Sequence, residues 1–404
     1  MSVSEKTEKV LPVAPLKITY IEGSRPIAKQ INSSLVKMRR AIGEHDKEAL
    51  TRQGYIENNY LLDAHLSRYG TGEGKATLNE SVRGTDLYIV ADVMNYSVTY
   101  KLCGRVNHMS PDNHFQDLKR IISAANGKAH RISVIMPFLY ESRQHKRSGR
   151  ESLDAAMALR ELQSYGVSEI ITFDAHDPRV RNAIPLRGFD NFMPTYQFLR
   201  ALLKAAPDLN FDSDHFMVIS PDEGAMNRAV YFSNILGADI GMFYKRRDYS
   251  KIVNGKNPIV AHEFLGASVE GKDCVVIDDM ISSGGSMLDV CKQMKERGAK
   301  RVFICTTFGL FTDGFAKFDE YYEKGLFTKL ITTNLCYRPQ ELLDKPYYET
   351  ANMYKYIASI INTLNHDQSA DKVRSTTSKI TKMLFRVEAE RNALLGDSEE
   401  IEKK

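Results

Sequence analysis

Six short, nearly unbroken apolar runs bounded by turn formers constrain this chain most: LYIV (87–90), ISVIM (132–136), IITF (170–173), FMVI (216–219), CVVI (274–277) and VFICT (302–306). A strand with one solvated face alternates apolar and polar residues, whereas a strand covered on both faces does not. Between the runs lie helical patterns, residues 152–163 and 286–297, the latter closed by Gly298 as a cap. Strand and helix in alternation predict α/β architecture with mainly parallel sheets.

The segment LNESVRGTDLYIVAD (78–92) aligns without gaps on LGASVEGKDCVVIDD (265–279), and GKAHRISVIMPFLY (127–140) echoes GAKRVFICTTFGLF (298–311) with one gap. Two echoes in the same order predict a duplicated α/β unit. At 404 residues the chain has room for two domains of roughly 150 residues each. The expected division is an N-terminal extension at 1–50, domains at 51–200 and 201–368, and a charged helical tail at 369–404. In the tail Val373, Ile380, Val387 and Leu394 recur every seven residues, with Met383 and Leu384 beside them and Gly396 as a cap. That pattern predicts an amphipathic helix docked on the core or on a neighbouring subunit.

Composition narrows the classes. With 43% hydrophobic and 26% charged residues the chain is an ordinary globular one. A net charge of +4 is too small for a sequence-independent grip on duplex nucleic acid. No run reaches the ~18 apolar residues of a membrane helix, and charges and prolines break the first residues before a signal segment forms. Cys103, Cys274, Cys291, Cys305 and Cys336 form no CxxC pair, which suits a reducing compartment. These features predict a cytoplasmic chain without nucleic-acid or membrane partners.

The chemistry concentrates in CVVIDDMISSGGSM (274–287): a buried strand, two acids, then a Ser/Gly-rich turn opening a helix. Ser282, Ser283, Gly284, Gly285 and Ser286 can direct backbone N–H groups and hydroxyls at one phosphate, aided by the helix N-terminus. Asp278 and Asp279 stand at the carboxyl end of the strand, where open α/β sheets bind ligands, and suit sugar hydroxyls or a magnesium ion. Further on the chain, Lys245, Arg246 and Arg247 bunch three cations before a Gly- and Asn-containing stretch, the pattern of a loop that closes over an anionic substrate.

Four apolar residues, Asp-Asp, two residues, Ser/Thr, a small residue, Gly and Thr/Ser resemble the phosphoribosyl-diphosphate loop of type I phosphoribosyltransferases and of ribose-phosphate diphosphokinases, the PRPP synthetases. Other segments favour the second family. SRQHKR (142–147) is similar to its Arg-Gln-Asp-Lys-Lys segment, FDAHD (173–177) to its Asp-Leu-His strand end, and SPDEGAMNR (220–228) to its Ser-Pro-Asp-Ala-Gly segment. FYKRRD (243–248) resembles its flexible catalytic loop, NESVRG (79–84) is nearly unchanged, and RYGTGEGK (68–75) lines up with Arg-Phe-Ser-Asp-Gly-Glu.

The resemblance implies two tandem phosphoribosyltransferase-like domains and Mg²⁺-dependent transfer of the diphosphoryl group of ATP to ribose 5-phosphate. It assigns Lys245 and Arg247 to catalysis; Tyr69, Thr71, Glu73, Arg143 and Gln144 to ATP; Asp278, Asp279 and residues 282–286 to ribose 5-phosphate; and His176 with Asp222 to the metal. It also implies self-association as a dimer or larger assembly, a hexamer among them, with the loop at residues 69–73 reaching a neighbouring subunit. The sequence departs from the family at Thr71 for Asp/Asn, His145 for Asp, and Ser282 and Ser283 for Asp-Thr. Two rival readings stay open. A non-catalytic regulatory homologue predicts loss of the Lys-Arg-Arg cluster or of His176, and a type I phosphoribosyltransferase predicts a single such domain.

Overall fold

A computed structural model describes residues 11–46, 51–52, 54–247, 259–387 and 389. All six apolar runs form strands whose residues are almost all buried, with only Met136 just past its strand's end. The first sheet sets Leu16–Tyr20, Asp86–Val90, Arg131–Ile135, Glu169–Phe173 and Gly188–Phe192 side by side, all parallel. The second runs Ile259–Leu265, Asp239–Arg247, Phe216–Ser220, Asp273–Ile281, Arg301–Gly309, Lys329–Thr333 and Tyr348–Ala351, with only its first pair antiparallel. The architecture is α/β, with helices flanking both sheets.

The internal repeat has a physical signature. Arg131 donates from Nε and Nη2 to Asp86 at 2.9 and 2.7 Å, and Arg301 donates likewise to Asp273 at 2.8 and 2.7 Å. In each sheet the two residues face each other in register at the start of adjacent parallel strands. A bidentate fork neutralises each buried acid, and removing one partner of such a pair costs about 3–5 kcal/mol.

Residues 16–45, expected to belong to an extension, are instead integral to the first sheet. Leu16–Tyr20 is its edge strand, and helix Arg25–His45 buries Ile27, Ile31 and Leu35 in the core. A narrow apolar stripe hid this helix, as did Arg39, which is buried but satisfied by Asn362 (2.9 Å), Asn365 (2.6 Å) and the Tyr55 carbonyl (3.2 Å). A division at residue 200 falls inside helix Thr195–Ala205, whose Phe198, Leu199 and Leu202 pack in the second domain's core. Helix Tyr354–Asn365, from the second half of the chain, instead buries Ile357, Ile360 and Ile361 in the first domain's core.

The tail is not one continuous helix. Helix Asp371–Arg374 ends at Ser375, whose extended backbone (φ −72°, ψ 99°) interrupts the heptad before a second helical stretch at 377–387. Val373 joins the first core, and the fully buried Ile380 joins the second, with Met383 and Leu384 packed against it. Leu394 and Gly396 lie outside the described residues. No described helix is long and apolar enough to cross a membrane.

Candidate functional site

Strand Asp273–Ile281 extends beyond its apolar run because its neighbour Arg301–Gly309 stays paired with it to Ile281, holding Asp278 in register with Thr306. Residues 282–284 then turn into helix Gly285–Glu296. Gly284 adopts φ +88°, and a Cβ there would run into the Phe318 ring, so only glycine fits. The helix starts without a side-chain cap. Its positive end therefore meets a cavity of about 200 Å³ bordered by Ser282–Ser286, Asp222 and Asp278. Asp222 Oδ1 also accepts from the Gly224 and Ala225 N–H groups, at 2.9 and 3.3 Å, which holds its carboxylate at the rim.

Beside this cavity the two domains meet through charge. His176, just after strand Glu169–Phe173, sets Nδ1 2.7 Å from Asp279 Oδ2. Arg228, on helix Met226–Leu236, points Nε at Asp174 (3.1 Å), Nη1 at Asp278 (3.4 Å) and Nη2 at Asp279 (3.7 Å). Thr307 Oγ1 donates to the far oxygen of Asp174 at 2.6 Å. The Asp279 hydrogen bond raises the His176 pKa against the pull of burial. Burial pushes Asp279 up, but His176 and Arg228 outweigh it and hold the carboxyl below its usual range. Asp278 is pushed well above that range by burial and by the charge of Asp279. One arginine thus faces three carboxylates, with His176 as a second partner of Asp279.

A second cavity, of about 190 Å³, lies between the domains and is bordered by Phe138, Tyr140 and Arg143 on one side and Ser282 and Thr312 on the other. Ser282 borders both cavities. Arg143 stands at their junction, its guanidinium against Met280 Sδ at 2.9 Å. Gln144 spends its amide on its own loop, donating to the carbonyls of Lys146 (3.2 Å) and Ser152 (2.8 Å). His145 lies edge-on to His176, with ring centroids 5.4 Å apart and Nε2 3.4 Å from Asp177.

The remaining candidates lie elsewhere. Tyr69, Thr71 and Glu73 occupy the tip of the hairpin Ala64–Arg68/Gly74–Leu78, border neither cavity, and leave Tyr69 58% exposed. Thr71 Oγ1 donates to Glu73 at 2.8 Å, and just below the tip Arg68, in register with Gly74, is bidentate to Asp117 at 2.7 Å. His176 is paired with Asp279 and not with Asp222. No group of three or more His, Cys, Asp or Glu positioned to hold a metal occurs among the described residues. Lys245 and Arg247 close strand Asp239–Arg247, which lies antiparallel to Ile259–Leu265. Their side chains, and the stretch 248–258 expected to form a closing loop, lie outside the described part of the structure. Sequence reading missed Asp174, Arg228 and Thr307. The first two sit inside the FDAHD and SPDEGAMNR segments, but nothing in their local pattern marks a contact that forms only between domains.

A duplicated α/β core with a phosphate-type loop at the carboxyl end of one sheet defines the phosphoribosyltransferase-like class. The model for the N-terminal domain of ribose phosphate pyrophosphokinase matches residues 16–166, and that for the phosphoribosyl transferase domain matches residues 190–334. The ribose-phosphate pyrophosphokinase of Vibrio vulnificus is 31% identical over 260 residues, 64% of this chain and 74% of the relative. That of Vibrio parahaemolyticus is 28% identical over 312 residues, 76% of this chain and 90% of the relative. The crystal structure of phosphoribosylpyrophosphate synthetase from Mycobacterium smegmatis shares the fold with a TM-score of 0.67 at 20% identity, covering 87% of this chain and 99% of that one. The chain belongs to the ribose-phosphate pyrophosphokinase family.

Proposed function

We propose that this chain transfers the diphosphoryl group of ATP to the anomeric hydroxyl of ribose 5-phosphate, forming PRPP and AMP. The observation that carries the reading is the pair of adjoining cavities sharing Ser282, one lined by the phosphate-type loop and the other by Arg143. In this reading the 282–286 loop and its helix end hold the 5-phosphate, and Asp278 accepts hydrogen bonds from sugar hydroxyls. Arg143 grips the polyphosphate of ATP in the neighbouring cavity, while Gln144 keeps the Arg143 loop in shape through its two carbonyl contacts. Sharing one wall brings hydroxyl and phosphoryl group into line, which is the main catalytic device for a reaction that needs little covalent help.

Lys245 and Arg247 are assigned to offset charge on the transferred group in the transition state. The donor set fits Mg²⁺. Asp222 and Asp278 border one cavity, and a divalent cation there would offset the burial and the neighbouring Asp279 charge that push Asp278 up. Asp222 and Asp278 would hold the ion together with water, and His176 would stay paired with Asp279 beside it. The chemistry bound Mg²⁺ supplies there is neutralisation of polyphosphate charge. The exposed hairpin tip at Tyr69, Thr71 and Glu73 is assigned to the adenine of ATP held by a neighbouring subunit, hence a dimer or larger assembly. The free thiols, four of them buried, suit a cytoplasmic location.

The test is incubation of the purified chain with ATP, ribose 5-phosphate and Mg²⁺, followed by phosphorus NMR. Equimolar PRPP and AMP are expected. ADP and orthophosphate as the only products, or no turnover, would overturn the reading.

A further inference from the structure

Asp174 and His176 belong to the first domain, Arg228 and Asp279 to the second, and the four close a ring across the boundary. A cation buried this deeply costs several kcal/mol in lost hydration, so its retention calls for a reason beyond filling space. We propose that Arg228 is a positioning residue for this reaction: its guanidinium ties Asp174 to the Asp278–Asp279 pair and so sets where those carboxylates meet the sugar. The inference rests on the diphosphokinase reading above and adds a residue to it.

Three features carry it. The Arg228 side chain is only 9% exposed, and its Nε, Nη1 and Nη2 are each directed at a different carboxylate. A planar fork divides itself among three acids in this way, and an ammonium point charge does not. Asp174 is itself held against strain. Its backbone is left-handed (φ 41°), its N–H donates to the Phe192 carbonyl at 2.9 Å, and Thr307 fixes the oxygen that Arg228 leaves. A non-glycine residue persists in that conformation where its surroundings over-determine it, commonly at a functional site. Finally, Asp278 joins the ring on one side and borders the phosphate-type cavity on the other. A shift in Arg228 is therefore felt at the sugar. The hairpin assigned to adenine shares none of these contacts.

The test compares Arg228→Gln, Arg228→Lys and Thr307→Val with the parent by steady-state kinetics, thermal melting and calorimetric titration with ribose 5-phosphate. Arg228→Gln should lower kcat/KM for ribose 5-phosphate about 100-fold and leave the KM for ATP within about twofold. Arg228→Lys keeps the charge without the fork, so its ribose 5-phosphate affinity should fall between Gln variant and parent; this arm decides the matter if the Gln variant does not fold. Thr307→Val releases the second oxygen of Asp174 and should weaken ribose 5-phosphate affinity, though less than Arg228→Gln does. A folded Arg228→Gln with parental kinetics would overturn the proposal. So would losses shared equally by both substrates, or Arg228→Lys binding ribose 5-phosphate as the parent does. A parent that neither turns over nor binds ribose 5-phosphate would instead remove the diphosphokinase reading itself.

Discussion

His176 Nδ1 and Asp279 Oδ2 meet at 2.7 Å across the boundary between the two domains. Asp279→Asn keeps the shape and removes the charge. The His176 pKa, held up mainly by this hydrogen bond, should drop toward its ordinary value of 6.5, visible in an NMR titration of the imidazole. The kcat/KM for ribose 5-phosphate should fall about 100-fold, or ~2.7 kcal/mol. An unshifted titration would show that the pair does not form in solution.

Lys245→Ala addresses the cation cluster. A group acting on the transition state lowers kcat far more than it raises KM, and a loss of at least about 100-fold in kcat is expected. Unchanged turnover at saturating substrate would remove Lys245 from catalysis.

Two loop substitutions probe the phosphate cavity. Ser283→Asp places an anion beside the helix end and should abolish calorimetric binding of ribose 5-phosphate while sparing ATP. Gly284→Ala forces a side chain toward Phe318 at positive φ and should cost about 1–3 kcal/mol of stability as well as the site. Normal ribose 5-phosphate binding in both variants would place the phosphate elsewhere.

Glu169 should make stability fall with rising pH. Burial first, then its hydrogen bond to Asp190 and the charge there, push its pKa from 4.5 to about 8. The folded chain then keeps a proton that the unfolded chain releases. This contribution is fully present below about pH 4.5 and is lost as pH rises through about 8, at up to about 1.4 kcal/mol per pH unit. Glu169→Gln should flatten that slope in thermal melts and stabilise the chain at pH 8. An identical slope in the variant would assign the effect to other groups.

The tail should matter for stability more than for chemistry. Ile380 is fully buried among second-domain residues, so Ile380→Ala should cost about 2–5 kcal/mol. A chain ending at Gln368 loses Val373 as well, and should melt earlier or form smaller assemblies while keeping its specific activity. Light scattering, melting curves and kinetics on the truncation decide this; unchanged mass and melting temperature would reduce the tail to a solvated appendage.

Where residues act through local pattern, the sequence by itself determined the outcome. Short apolar runs without alternation, bounded by turn formers and too brief for helices, suit strands covered on both faces, and all six form such strands. Gly298 adopts φ +86° after helix Gly285–Glu296, and the Ala299 N–H returns to the Met294 carbonyl, so that helix ends where a residue without Cβ allows it. The duplicated Asp-Arg pairs were legible as a repeat because register carries each aspartate to its arginine. What sequence could not yield depends on distant segments sharing a surface. Helix Arg25–His45 has too narrow an apolar stripe to announce itself, and Arg39 is tolerated only because Asn362 and Asn365 return from the far end of the chain. The seven-residue spacing in the tail implied one helix, yet Val373 and Ile380 belong to different cores, and burying both outweighs helical continuity through Ser375. The link from Asp174 through Arg228 to Asp279 was decided only by tertiary structure, because hydrogen bonds and charges act over a few ångströms of space however many residues lie between.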